Sequence, residues 1–294
     1  MSAAKTPPIT VHEDANLFRE ALRFTAAQSG FTGRLIEKDY FCTVLLAYLN
    51  ATAGADLVFK GGTCLTKVHS ELYRLSEDLD YTIPAPFGIS RSERSRRVEG
   101  VKVALSQVKQ SLPAFRVVEP LRGANNSTQY VAIMAYSSMI SRKDETIKIE
   151  VSLREPLLMP IVQGHARTLL LNPVSNTAIV SPISLSNIAK TEALAEKFRA
   201  ALSRRDVAIR DFYDIDHAVR RGGLRPKSAE LIGQVKQKVA VPGNDPVNVS
   251  DGRLAALRTQ IEHQLRPVLR EEDFAEFDLD RAFKIVAEVA KAIA

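Results

Sequence analysis

Apolar residues recur every three or four positions over residues 12–28, and again over about 35–50, where Ile36, Tyr40, Thr43, Val44 and Ala47 share one side. Both stretches are expected to be amphipathic helices. The spacing then changes. Leu57-Val58-Phe59 is short, wholly apolar and followed by Gly61-Gly62, the pattern of a buried strand running into a turn. A helix is expected over 64–75, a strand over 79–83, and one long basic helix over 91–112 that stops before Pro113. Beyond it the residues alternate: "FRVVEPLR", "TQYVAIMAYSS" and "TIKIEVSLRE" predict three strands, the last two joined in a hairpin across residues 142–145. From Ser184 onward the spacing is helical, with helices expected over 186–202, 207–221, 253–269 and 279–294 and a long loop over 241–252. The pattern gives a mixed α/β part followed by a helical part, with expected domains of residues 1–180 and 181–294.

Composition narrows the picture modestly. The 294 residues are 45% hydrophobic and 25% charged, enough for a soluble core in one large domain or two. No apolar run approaches the roughly 18–20 residues that span a bilayer, so a membrane partner is not expected. The opening residues carry no apolar signal-peptide core, and a cytoplasmic location is expected. Cys42 and Cys64, the only cysteines, each sit in an apolar pattern with no second pair for a zinc site, and the histidines show no ligand spacing. A net charge of +6 favours a polyanion such as RNA; the clusters "RSERSRR", "SRRDVAIRD" and "RRGGLRPK" read either as part of that surface or as solvated faces.

One stretch changes the picture more. In "FKGGTCLTKVHSELYRLSEDLDYTI" two aspartates, Asp78 and Asp80, stand one residue apart at the start of a strand. A strand sends alternate side chains to one face, so their Cα atoms would lie about 6.6 Å apart with both carboxylates on that face. Such a pair needs compensation, and a divalent cation supplies it; magnesium suits a site of few carboxylates that leaves positions for water and phosphate oxygens. The glycine turn is the complementary half. Gly61 and Gly62 let the backbone approach a ligand, Thr63 adds a hydroxyl and Lys60 a cationic contact, so a triphosphate could lie between turn and acidic strand. In "TIKIEVSLRE" the alternation puts Glu150 on the polar face of a later strand, a third carboxylate for the same metal. In the helix at 186–202, Lys190 and Lys197 are seven residues apart and share a face, while Asp211 and Asp214 share one at i, i+3 on the next helix. Read alone, Lys197 and Asp211 form a structural ion-pair network.

These residues resemble the nucleotidyltransferase core shared by DNA polymerase beta and its relatives, and more narrowly the AbiEii-like nucleotidyltransferase toxins, which include the MenT toxins of mycobacteria. Four blocks carry the resemblance: "IEKDYFCTVLL", "FKGGTCLTKVHSELYRLSEDLDY", "IKIEVSL" and "EALAEKFRAALSRRDVAIRDFYDI". It implies an α+β fold, with a polymerase-beta-like core of mixed sheet flanked by helices and a helical C-terminal domain that contributes to the active site. It implies catalytic roles for Asp78, Asp80, Glu150, Lys197 and Asp211, with Asp78, Asp80 and Glu150 on magnesium. Substrate contacts would come from Lys60, Gly61, Gly62, Thr63, Arg74, Ser76 and Lys190. Glu150 departs from the aspartate that relatives often carry there. The implied activity is a toxin transferring a nucleotide from an NTP to RNA, such as a tRNA end, with a neighbouring antitoxin as partner. The residues leave rivals open: transfer to a protein or small molecule, γ-phosphoryl transfer from the same site, or RNA binding without catalysis.

Overall fold

The computed structural model describes residues 9–294. They divide into two units, residues 9–188 and 189–294. The first opens with α1 (Ala15–Ser29) and α2 (Gly33–Ala53). Asp14 caps α1 by accepting from the Asn16 and Leu17 amides, and Gly30 ends it at a φ of 74°, the left-handed turn that glycine tolerates best. Thr32 caps α2 through the Leu35 amide. After α2 come β1 (Val58–Lys60), α3 (Gly61–Lys67), β2 (Leu79–Thr82), three short helices α4 (Arg91–Arg97), α5 (Glu99–Ser106) and α6 (Val108–Ser111), then β3 (Phe115–Ala124), β4 (Gln129–Ser137), β5 (Asp144–Ser152), β6 (Val162–Ala166) and β7 (Ile183–Asn187).

The strands form one seven-stranded mixed sheet in the order β3-β4-β5-β2-β1-β7-β6. Strands β2 and β5 are parallel, as are β1 and β7, and the other neighbours are antiparallel. The expected hairpin between β4 and β5 is present, running from Gln129 opposite Ser152 to Ser137 opposite Asp144. Apolar side chains close the helix-covered face: Phe18 lies against Tyr40, and Phe41 stacks on Tyr136 at 4.0 Å and meets Phe115 edge-on.

The structure departs from the pattern reading in several places. The helix expected over 64–75 starts earlier and stops at Lys67. Leu72, at a φ of 50°, cannot continue a helix, and the irregular chain that follows buries the Arg74 guanidinium, whose Nη1 donates to the Leu75 carbonyl. The basic stretch 91–112 is broken at Val98 and Gln107 into three short helices. Strand β7 falls where a helix start was read, because its buried members Leu185 and Asn187 include a polar residue that hides the period of two.

The second unit is helical: α7 (Lys190–Ser203), α8 (Ile209–Arg220), α9 (Ala229–Val239), α10 (Asp251–Arg258), α11 (Glu271–Glu276) and α12 (Leu279–Ile293). The single helix expected over 253–269 breaks after Arg258 into a wide π-helical turn (Ile261–Leu265) and a 3-10 turn (Arg266–Val268) that contains Pro267, and α9 was not expected. Its core contains charge. Lys238 Nζ lies 2.7 Å from Glu192 and 3.3 Å from Glu196, and Asp216 holds Arg220 at 2.8 Å and Arg281 at 2.7 Å.

Candidate active site

Strand register builds the acidic centre. Lys60 on β1 pairs with Asp80 on β2, which pairs in turn with Glu150 on β5. Residues aligned across neighbouring strands share a face, so Lys60, Asp80 and Glu150 form one row. Asp78 immediately precedes β2, two residues before Asp80, and joins this face beside Lys148 of β5. Three carboxylates thus meet two lysines. Lys148 Nζ is 3.7 Å from Asp78 Oδ2 and 3.5 Å from Glu150 Oε2.

The electrostatics follow from that crowding. Burial, helped by the neighbouring Glu150 and Asp78 carboxylates, pushes Asp80 from 3.8 up to about 6. Burial alone would lower the Lys148 ammonium, but Asp78, Glu150 and Asp80 outweigh it and hold that group above its ordinary value. Hard oxygen donors in excess over local cations fit a divalent cation such as magnesium. Among the described residues no three His, Cys, Asp or Glu side chains are gathered tightly enough to grip an ion as they stand. The Asp78, Asp80 and Glu150 carboxylates form an open set with an ammonium beside them.

The glycine turn is built around the same carboxylate. Gly61 has a φ of 73°, and a Cβ there would overlap the Asp80 carboxylate. Both the backbone and the neighbour therefore demand glycine. A Cβ at Gly62 would come within 2.7 Å of the Arg74 guanidinium and 3.2 Å of Ser76 Oγ. Arg74, only 2% exposed, lies beneath the turn as a support. The Thr63 hydroxyl donates to the Asp78 carbonyl, tying α3 to the acidic strand, and its side chain is buried. Gly61→Ala is expected to destabilise the protein by about 1–3 kcal/mol and to displace Asp80. A thermal melt together with a transfer assay checks this, and an unchanged melt would show that the turn tolerates a side chain.

Sequence reasoning missed what fixes this turn. Three consecutive residues of α2 each reach a different part of the unit. Glu37 accepts from the Ser138 hydroxyl and the Met139 amide after β4, Lys38 lies 3.1 Å from Glu77, and Asp39 pairs with Lys67 at the end of α3. The side chains of Asp39 and Lys67 are both 1% exposed. The Asp39 carboxylate also accepts from Thr168 Oγ1 at 2.8 Å and the Leu169 amide at 3.0 Å, and Lys67 also donates to Thr43 Oγ1 at 2.8 Å. The signals for it were a run of three charged residues inside an otherwise apolar helix and the place of that run in the block "IEKDYFCTVLL", to which the pattern assigns no contact.

In the helical unit Lys197 Nζ lies 2.8 Å from both Asp211 Oδ1 and Asp214 Oδ2, with Arg204 3.6 Å from Asp211 Oδ2. Lys190 is the first residue of α7 and is exposed. The basic clusters are substantially engaged. Arg94 donates to the Ile89 and Asn126 carbonyls, Arg97 contacts Glu93, and Arg220 and Arg221 share Glu276. No helix among the described residues is long and apolar enough to cross a membrane.

A family model described as nucleotidyl transferase AbiEii toxin, type IV toxin–antitoxin system, matches residues 44–287. Two solved structures from Helicobacter pylori, a candidate nucleotidyltransferase and JHP933, are each 16% identical to the chain with a TM-score of 0.45. The first match covers 88% of this chain and 90% of the other, the second 88% of each. No curated protein sequence matches.

Proposed function

The chain belongs to the AbiEii nucleotidyltransferase toxins of type IV toxin–antitoxin systems, and on that premise we propose that it transfers a nucleoside monophosphate from an NTP to an RNA hydroxyl, with a tRNA end as the acceptor. The observation that carries this reading is the lateral row of Lys60, Asp80 and Glu150, with Gly61 packed directly on Asp80. Magnesium held by Asp78, Asp80 and Glu150 would supply Lewis-acid stabilisation of the triphosphate and of the attacking hydroxyl.

The protein's own residues do the rest by position and charge. Lys60 offers a cation beside the row, and the half-buried Gly61 leaves backbone open to an approaching phosphate, while Gly62 itself is buried. Ser76 provides a hydroxyl next to Gly62. Thr63 and Arg74 act beneath, holding the acidic strand and the turn in place. Lys190, Lys197 and Asp211 enter this reading through the family's sequence blocks; within its own unit Lys197 is locked to two aspartates. Blocked translation and arrested growth would follow from a modified tRNA end, and a cognate antitoxin would restrain the enzyme in the cytoplasm.

The test offers each α-labelled NTP with magnesium and total tRNA, followed by sequencing of the RNA 3′ ends. Label appearing at tRNA ends is the expected result. Label in protein would move the acceptor, label from γ- but not α-labelled NTP would mean phosphoryl transfer, and RNA binding without NTP turnover would leave a binding module.

A further inference from the structure

The acidic row contains one cation that no role above absorbs. Lys148 lies two residues before Glu150 on β5, so both side chains leave the strand on one face. The pairing of Leu79 with Ile149 sets Lys148 opposite Asp78. Its Nζ stands 3.7 Å from Asp78 Oδ2 and 3.5 Å from Glu150 Oε2, whereas a seated charge-assisted hydrogen bond spans about 2.7–2.9 Å. The contrast within this protein is clear: Lys67 and Lys197 approach their aspartates to 2.5 and 2.8 Å. Lys148 spans the two carboxylates through long contacts, with a stretched hydrogen bond to Glu150 and none as short as those of the seated lysines. Its side chain is 41% exposed, which leaves it room to swing out.

We propose that Lys148 is the resident counter-ion of this row: without a divalent cation it bridges Asp78 and Glu150, and a cation enters by displacing it. This rests on the divalent-cation reading above. With Lys60 on the other flank of Asp80, the Lys148 ammonium offsets part of the repulsion among Asp78, Asp80 and Glu150. A divalent ion brings twice the charge to the same oxygens, and it cannot share them closely with an ammonium because the two cations repel. Lys148 thereby trades metal affinity for a metal-free site that stays folded.

The test uses Lys148→Met, which keeps the aliphatic stem and removes the charge. Calorimetric titration with Mn²⁺ is expected to show about tenfold or more tighter binding than wild type, and the metal-free variant to melt several degrees lower. Lys148→Arg, which keeps the charge, is expected to retain the metal-free melting temperature. Lys60→Met removes an equal charge from the other flank of Asp80 and is expected to change Mn²⁺ affinity by less than about threefold. Unchanged Mn²⁺ affinity in Lys148→Met, or an equal gain in Lys60→Met, would overturn the counter-ion role. If wild-type protein binds no Mn²⁺, alone or with an NTP analogue, the divalent-cation reading falls and the proposal falls with it. That outcome is separable because wild type alone decides it.

Discussion

Asp80→Asn is expected to transfer nucleotide at least about 10³-fold more slowly than wild type while raising the melting temperature of the metal-free protein. The two effects have one cause. Asp80 sits between Lys60 and Glu150 in the row, with Asp78 two residues away, and its proton is held up to about 6 by burial and by those carboxylates. A carboxyl group whose folded value is raised favours folding least when ionised. The penalty is absent below about pH 4, grows as pH rises through about 6, and is complete above it. At pH 7.5 or so the neutral amide removes that penalty, worth about 1–3 kcal/mol after allowance for solvent screening, or a few degrees of melting temperature in a chain of this size. At about pH 4 the gain should vanish, since Asp80 is then largely protonated in wild type as well. Melting curves at both pH values, without metal, read the stability arm, and α-labelled NTP with RNA reads the transfer arm. A variant that melts lower than wild type at pH 7.5, or labels RNA at a near wild-type rate, would remove Asp80 from the centre of the site.

How much of this was legible follows from which interactions are local. The Asp78 and Asp80 spacing, the glycine turn and the Glu150 alternation are written in short windows, and strand pairing carried them into one row as Asp80 opposite Glu150. Gly61 was legible as a turn glycine, but its contact with Asp80 was not, because the two are brought together by the antiparallel pairing of β1 and β2. Thr63 and Arg74, expected as ligand contacts, also hold backbone, the Asp78 and Leu75 carbonyls respectively, a role no short window of sequence shows. The helix expected past Lys67 ends there, and Leu72 takes a left-handed φ of 50°, which the helical spacing of its neighbours does not show. In the helical unit, the Lys197–Asp211 ion pair was legible as a structural network, and the part that was not read is that Asp214 joins it.

The largest stability effect should come from a residue remote from the chemistry. Asp39→Ala is expected to cost about 3–5 kcal/mol, because it leaves the Lys67 ammonium buried with its charge uncompensated. The pair is fully enclosed, and Asp39 also accepts from Thr168 and the Leu169 amide, so the loss strands a hydroxyl and a backbone N–H as well. Urea denaturation followed by far-UV dichroism measures this directly. A loss below about 1 kcal/mol would mean that the ion pair contributes no more than an exposed one. Asp39→Ala combined with Lys67→Met provides the decisive comparison. Removing both charges should recover much of the stability, since an apolar replacement of a buried pair is often close to neutral. It should not recover transfer to the same degree. Lys67 closes the helix that begins at Gly61, and its salt bridge to α2 fixes that helix at the end opposite Asp80. A double variant that is stable but slow would show that the charged run in α2 sets the position of the glycine turn; one both stable and fast would assign the ion pair to folding alone.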